Sequence, residues 1–354
     1  MAVIKDSNGT WSARFYINTN KGKIRKRKRG FPTKKSALEW EREFLLKDAY
    51  SLRMSFKSLY ELYKDDMQIR LREHTNKTKE YIIENKILPF FGKMQVEEIT
   101  PIIVRKWQAH IIKSKNPKNN SPYSQTYIKS IHNQLTAIFN YAVKFHDLKE
   151  NPCHKAGTIG KKNAGEMDIW TIDEFNTFIK LIEHKPLNYT GFNILFWTGI
   201  RIGELLALTI KDFDPNKKII KINKSYQRLN GRDVITEPKT PKSNRVIDIP
   251  DNLVELIEEY KQHIYEADPN TRLFNCTKFL FENDMKIYSE KANLKKIRIH
   301  DLRHSHASFL INNNVNVLAI ANRLGHEKIE TTLNIYSHLY RESNNFMIDI
   351  LNKA

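Results

Sequence analysis

His300-Asp301-Leu302-Arg303-His304, then Leu324-Gly325-His326, then Tyr336-Ser337-His338 stand in that order near the end of the chain. In the first stretch a histidine and an arginine at i and i+3 project from one helix face. In the second a glycine turn precedes a histidine, and a tyrosine follows ten residues later. A single histidine of this kind is most often a packing residue. Further back lies Thr198-Gly199-Ile200-Arg201-Ile202-Gly203-Glu204-Leu205-Leu206. Its glycine puts Arg201 near a helix start, with Glu204 three residues on and able to orient it. Between these lies Glu237-Pro238-Lys239-Thr240-Pro241-Lys242, a lysine-bearing turn between β-like runs at Asp233–Glu237 and Arg245–Ile249. On its own that is an ordinary hairpin tip. A further β-like run covers Ile219–Asn223, and the whole segment 168–354 reads as mixed α/β with helices dominant.

Bulk composition narrows the partners. The chain has 354 residues, enough for two or three domains, and 40% of them are hydrophobic, too many for a disordered chain. Its formal net charge of +19 attracts polyanions, of which nucleic acid is the first candidate. A membrane surface is the rival, but there is no long apolar run, signal-peptide pattern or lipidation motif. A soluble, cytoplasmic protein is expected. Cys153 and Cys276 lack metal-ligand spacing and read as reduced thiols.

The amino-terminal segment, residues 1–50, reads as a small three-stranded sheet plus a helix. Asn8-Gly9 is a turn signal before a strand at Thr10–Ile17. There Trp11, Ala13, Phe15 and Ile17 alternate with Ser12, Arg14 and Tyr16, so one face packs and the other is free for a partner. Asn20, Lys21 and Gly22 make a second turn. The acid-free run Lys23–Arg29 then forms a third strand, with Arg14, Lys26 and Lys28 as candidate DNA contacts. Thr33 caps a helix carrying Leu38, Phe44 and Leu45.

Residues 54–154 read as helical. Ser55 caps a helix with Phe56, Leu59, Leu62 and Tyr63 on one side. Thr100-Pro101 starts another, bearing Ile103, Trp107 and Ile111. Ser124 opens a third with Ile131, Leu135, Ile138 and Ala142 as its core stripe. The opposite stripe holds Lys129, Asn133, Thr136, Asn140 and Lys144. It is open between a DNA face, with Lys129 as candidate contact, and an ordinary solvated face. Residues 155–167, glycine- and lysine-rich, read as a linker.

The ordered set of carboxyl-terminal clusters resembles the tyrosine recombinase family, in its phage and conjugative-transposon integrase branch. That family carries an arginine box, a β-hairpin lysine, an HxLRH box, an LGH box and a tyrosine about ten residues on, and every piece has a counterpart here. By pattern, 1–50 resembles the arm-site DNA-binding domain, 54–154 the helical core-site domain and 168–354 the catalytic domain. The resemblance implies Tyr336 as nucleophile, forming a 3′-phosphotyrosyl bond and, after exchange, a Holliday junction. It implies Arg201 and Arg303 clamping the phosphate and Lys239 as general acid to the leaving 5′-hydroxyl. His300 would handle the tyrosine proton, and His326 would hydrogen-bond the phosphate.

The physical logic runs in parallel. Cleaving a phosphodiester needs a nucleophile, charge neutralisation and a proton for the leaving oxygen. Planar guanidinium groups suit the non-bridging oxygens. No carboxylate trio for magnesium and no phosphate-binding GxxxxGK[ST] loop is found, so no cofactor is expected. Tyr340 is the decoy for Tyr336 and Lys242 for Lys239, while His304, His306 and His338 read as packing or supporting groups. The resemblance further implies double-stranded DNA with core and arm sites, a homotetramer on DNA, separate DNA-bending and excision proteins, and a mobile element as cargo. Other readings are a non-catalytic DNA-binding regulator, a Xer-type resolvase and a type IB topoisomerase. The tail carries Phe346, Met347, Ile350 and Leu351 as an apolar stripe for docking in cis or onto a neighbouring protomer.

Overall fold

The computed structural model describes residues 2–7, 9–19, 22–49, 54–162, 168–238, 241–265, 268–336 and 352. The chain divides into two compact units, Met1–Gly165 and Glu166–Ala354. It is mostly helical with small sheets, and among the described residues no helix is long and apolar enough to cross a membrane.

The first unit opens with an antiparallel sheet in the order β1 (Ala2–Lys5), β2 (Trp11–Thr19), β3 (Gly22–Phe31). A helix, Lys34–Ala49, follows, and the Thr33 hydroxyl accepts the Ser36 N–H at its start (3.1 Å). Ala13 and Phe15 are buried on the helix side, with Ala37 buried and Trp40 against Phe15 and Phe31. Leu38, on this helix as expected, is exposed: it lies one position beyond Ala37, off the stripe that meets the sheet. The side chains of Ile17, Phe44 and Leu45 fall outside the described part of the structure.

The helical part begins at Ser55, whose hydroxyl accepts the Ser58 N–H (3.1 Å) and opens the helix Phe56–Arg70. Phe56, Leu59, Tyr60 and Tyr63 are buried, whereas Leu62 is 43% exposed. Tyr60 takes the place expected of Leu62, because an i, i+3, i+4, i+7 stripe from Phe56 passes through 59, 60 and 63. Thr100 and Ser124 cap the helices Pro101–Lys113 and Gln125–Phe145. These bring Trp107, Ile111, Ile131, Leu135, Ile138 and Ala142 into one core. The segment beyond residue 154 is tied to the same core. Ile159 packs on it, Gln108 donates to the Gly157 carbonyl (2.7 Å), and the Lys161 N–H bonds the Gln125 carbonyl (3.2 Å).

In the second unit, the helix Pro186–Thr198 is buried on nearly every side, by Phe178, Phe274 and Phe281 among others. Two sheets accompany the helices. One has the order β4 (Phe213–Asp214), β5 (Ile219–Ile222), β8 (Arg245–Asp248). The other pairs β6 (Ser225–Leu229) with β7 (Arg232–Thr236). The hairpin therefore turns at Asn230-Gly231, both at positive φ, the signature of a tight primed turn. This corrects the expected hairpin around Lys239: β7 pairs with β6 and β8 with β5, so the lysine segment connects two sheets. Lys239 itself lies outside the described residues.

Candidate active site

Three chain segments meet around Arg303. The helix Pro186–Thr198 ends on Gly199, which adopts the left-handed conformation (φ 66°). A Cβ there would sit 2.7 Å from both the His306 ring and a Leu324 methyl, so close packing as well as backbone conformation requires glycine. Ile200 then turns into the core, and Arg201 caps the short helix Ile202–Leu205. Glu204, buried, accepts the Arg201 backbone N–H at Oε2 (2.9 Å) and the Arg201 Nη1 at Oε1 (2.7 Å). The orienting role read from the i, i+3 spacing is thus realised. Burial alone would raise the Glu204 carboxyl, but hydrogen bonds and charge from Arg245, and charge from Arg201, hold it below the ordinary value.

The helix Val317–Leu324 ends in the same way, on left-handed Gly325 (φ 69°). Arg303, on the helix Asp301–Asn312 and only 2% exposed, bridges the two endings. Its Nη1 donates to the Gly199 carbonyl (2.8 Å) and its Nη2 to the Leu324 carbonyl (2.6 Å). Carbonyls at helix carboxyl ends carry partial negative charge, so they suit a buried guanidinium. Arg201 and His326 each lie two residues past a gripped carbonyl. One arginine thereby fixes the placement of both.

His326 Nδ1 is 2.7 Å from the Thr332 hydroxyl, and Thr332 is fully buried. Burial first, then the charges of Arg303, Arg201, His304 and Arg245, push His326 down to about 4. His300 precedes the Asp301–Asn312 helix and meets the His304 ring edge-on (5.2 Å between centroids). Burial, then Arg303 and Arg201, hold His300 below the usual histidine value, and His304 is pushed down to about 4. At neutral pH these rings are uncharged, so the positive field comes from the guanidinium groups.

His306 accepts from Arg323 Nε (3.1 Å), which supports its reading as a packing group. His338, Tyr340 and the apolar tail stripe, Phe346, Met347, Ile350 and Leu351, lie outside the described residues. Tyr336 is the last residue of the helix Ile329–Tyr336, its side chain undescribed. Lys242 donates to the Glu327 carbonyl (3.2 Å) beside the His326 turn. Arg245 and Thr332 were not singled out from sequence. Arg245 contacts residues 41 and 78 positions away, which no local pattern reveals.

The candidate DNA contacts fall on different faces. In β2 and β3, Arg14 pairs across from Arg27 and Tyr16 from Arg25, whereas Phe15 pairs with Lys26 and Ala13 with Lys28. Directly opposed residues share a face. Arg14 is therefore on the open face, and Lys26 and Lys28 are on the face that carries the helix, with Lys28 Nζ 5.0 Å above the Trp40 ring. Arg14 and Arg27 both approach Asp6 (3.7 and 2.9 Å). In the helical part, Lys129 bonds Thr158, and Asn140 accepts from Asn151 (2.8 Å), so part of that polar stripe serves the fold.

Comparison with known proteins accords with this geometry. Residues 170–343 match the phage integrase family, 55–112 the phage integrase N-terminal SAM-like domain and 1–48 an arm DNA-binding domain. The ICEBs1 integrase of Bacillus subtilis (strain 168) is 32% identical over 338 residues, 90% of each chain. The integrase of Mycobacterium phage L5 is 28% identical over 256 residues, 69% of this chain and 65% of that protein. In fold, the chain is similar to the Tn1549 transposon integrase in complex with circular intermediate DNA (TM-score 0.70, 20% identity, covering 84% of this chain and 100% of that one). A lambda integrase dimer bound to a COC' core site is also similar (TM-score 0.62, 14% identity, 94% and 93% covered). The chain belongs to the phage integrase family and is a tyrosine recombinase, an enzyme that cuts and rejoins DNA at specific sites.

Proposed function

We propose that Tyr336 attacks the scissile phosphate, forming a 3′-phosphotyrosyl bond as the bond to the 5′-oxygen breaks. The observation that carries this reading is the grip of Arg303 on the Gly199 and Leu324 carbonyls, which supports Arg201 and His326 as two arms of one phosphate site. In the tautomer whose Nδ1 accepts from the Thr332 hydroxyl, neutral His326 carries its proton on Nε2 and offers it to a non-bridging oxygen. Thr332 and Tyr336 are four apart on one helix, so their positions share a face. Arg201 and Arg303 offset the charge that builds on phosphorus, neutral His300 takes the phenol proton, and Lys239 protonates the departing 5′-oxygen.

The open face of the amino-terminal sheet, with Arg14, Tyr16, Arg25 and Arg27, contacts arm-site DNA, and the helical segment 54–154, with Lys129, contacts the core site. Four protomers exchange strands through a Holliday junction in the cytoplasm, with DNA-bending and excision proteins setting direction. The boundaries of this reading are 1–50, 54–154 and 168–354, with a linker ending at 167.

A plasmid assay tests it. Two attachment sites on one plasmid should yield recombinant circles. Relaxation of supercoils on a plasmid lacking such sites, with no recombinant product, would replace this reading with a topoisomerase.

A further inference from the structure

We propose that Arg245 is a positioning residue that sets Arg201 toward the phosphate through Glu204. The inference rests on the reading of Arg201 as a phosphate ligand. Arg245 starts β8, and its side chain is only 6% exposed. Its Nη2 donates to Glu204 Oε2 (2.9 Å) and its Nη1 to Glu204 Oε1 (3.3 Å). Its Nε donates to the Arg323 carbonyl (2.8 Å), and Nη1 also reaches the Ser243 carbonyl (3.1 Å). One guanidinium therefore joins the Arg201 turn, the exit of the lysine segment and the helix that leads into His326.

Each Glu204 oxygen is shared between the two arginines. Oε1 takes Nη1 of both, while Oε2 takes the Arg201 backbone N–H and Nη2 of Arg245. The consequence is one of charge. Two guanidinium groups around one carboxylate leave one positive charge uncancelled, and the Arg201 side chain, 39% exposed against 6% for Arg245, is the one that can present it. Without Arg245 the Glu204 carboxylate would have Arg201 as its one cation among the described residues, an internally neutral pair with little pull on a phosphate.

The test is a double-mutant cycle on the full chain. Single-turnover cleavage of a suicide half-site substrate is read at saturating DNA, beside half-site Kd and melting temperature. Arg245→Met should slow cleavage ~tenfold or more with Kd changed less than ~threefold, but add less than ~twofold in an Arg201→Ala background, because the two act as one unit. Arg245→Lys, which keeps the charge, should recover part of the rate. Equal fold-losses in both backgrounds, or a loss of affinity that parallels the rate, would overturn the proposal. If Arg245→Met fails to melt cooperatively, Arg245→Lys is read in both backgrounds by the same criterion. Cleavage by Arg201→Ala at the parent rate is a separate result, and it would overturn the reading of Arg201 itself.

Discussion

Replacing Gly199 with alanine tests whether the Arg303 frame is built by packing. The position has φ 66°, and a side chain carrying a Cβ pays ~1–2 kcal/mol for the left-handed conformation. The new methyl would also stand 2.7 Å from the His306 ring and from a Leu324 methyl, both buried and unable to swing into solvent. Overpacking of that kind adds ~1–3 kcal/mol. The sum, ~2–5 kcal/mol, is a large share of the ~5–15 kcal/mol that stabilises a typical domain. Gly231 is the internal control, since it has φ 76° and nothing within 4 Å of its would-be Cβ. Gly231→Ala should therefore cost only the backbone part, ~1–2 kcal/mol. Urea unfolding of the DNA-free protein, followed by circular dichroism, gives both numbers. Gly199→Ala should also slow cleavage beyond its loss of folded protein, because the Gly199 carbonyl is an anchor of Arg303. Equal costs for the two alanines would mean that His306 and Leu324 yield freely and that the frame is not set by packing.

Arg201→Ala and Arg303→Ala should each cut half-site cleavage ~100-fold, about 3 kcal/mol of lost charge stabilisation, while affinity, spread over many basic groups, changes far less; parallel losses of rate and affinity would make them binding residues. Stability should fall on acidification. His304, His306 and His326 are held at about 4, about 3 and about 4, below the ordinary 6.5, so the unfolded chain binds protons first as pH drops. The stability is present in full above 6.5 and is lost from there toward about 4, so melting temperature should be lower at about pH 5 than at about pH 7.5, and a flat profile would contradict neutral burial. In the amino-terminal sheet, Arg25→Ala with Arg27→Ala should weaken arm-site binding and flatten its salt dependence more than Lys26→Ala with Lys28→Ala. The reverse order in a filter-binding titration would put DNA on the helix-bearing face.

Local chemistry was legible in the sequence. Thr33, Ser55, Thr100 and Ser124 each cap the helix that follows, because a cap depends on residues three positions away. The period-2 alternation around Ala13 and Phe15 likewise named the packed face of the sheet. Pairing was not legible. The Asp233 and Arg245 runs looked like the two arms of one hairpin, yet they pair with β6 and β5, and the usable signal was Asn230-Gly231. The basic run and its place as a third strand point to Lys26 and Lys28, but only strand register shows that these two lie on the helix-bearing face. Within the site, the ordered clusters pointed to Arg201, Arg303 and His326. Glu204 showed by its spacing from Arg201, but the other supports did not, since Arg245 and the carbonyls gripped by Arg303 are joined only by folding. The helix Pro186–Thr198 hid for a different reason: buried nearly all round, it has no amphipathic stripe to read.

The proposed mechanism stands on Tyr336 making the covalent bond to DNA. The direct measurement traps the adduct on a suicide substrate, digests it and maps the nucleotide-bearing peptide by mass spectrometry, with Tyr336→Phe run alongside on a denaturing gel. The nucleotide should be found on Tyr336, and Tyr336→Phe, which loses one oxygen atom, should give no covalent band while still shifting half-site DNA. A covalent band surviving in Tyr336→Phe, or a nucleotide mapped to Tyr340, would contradict it.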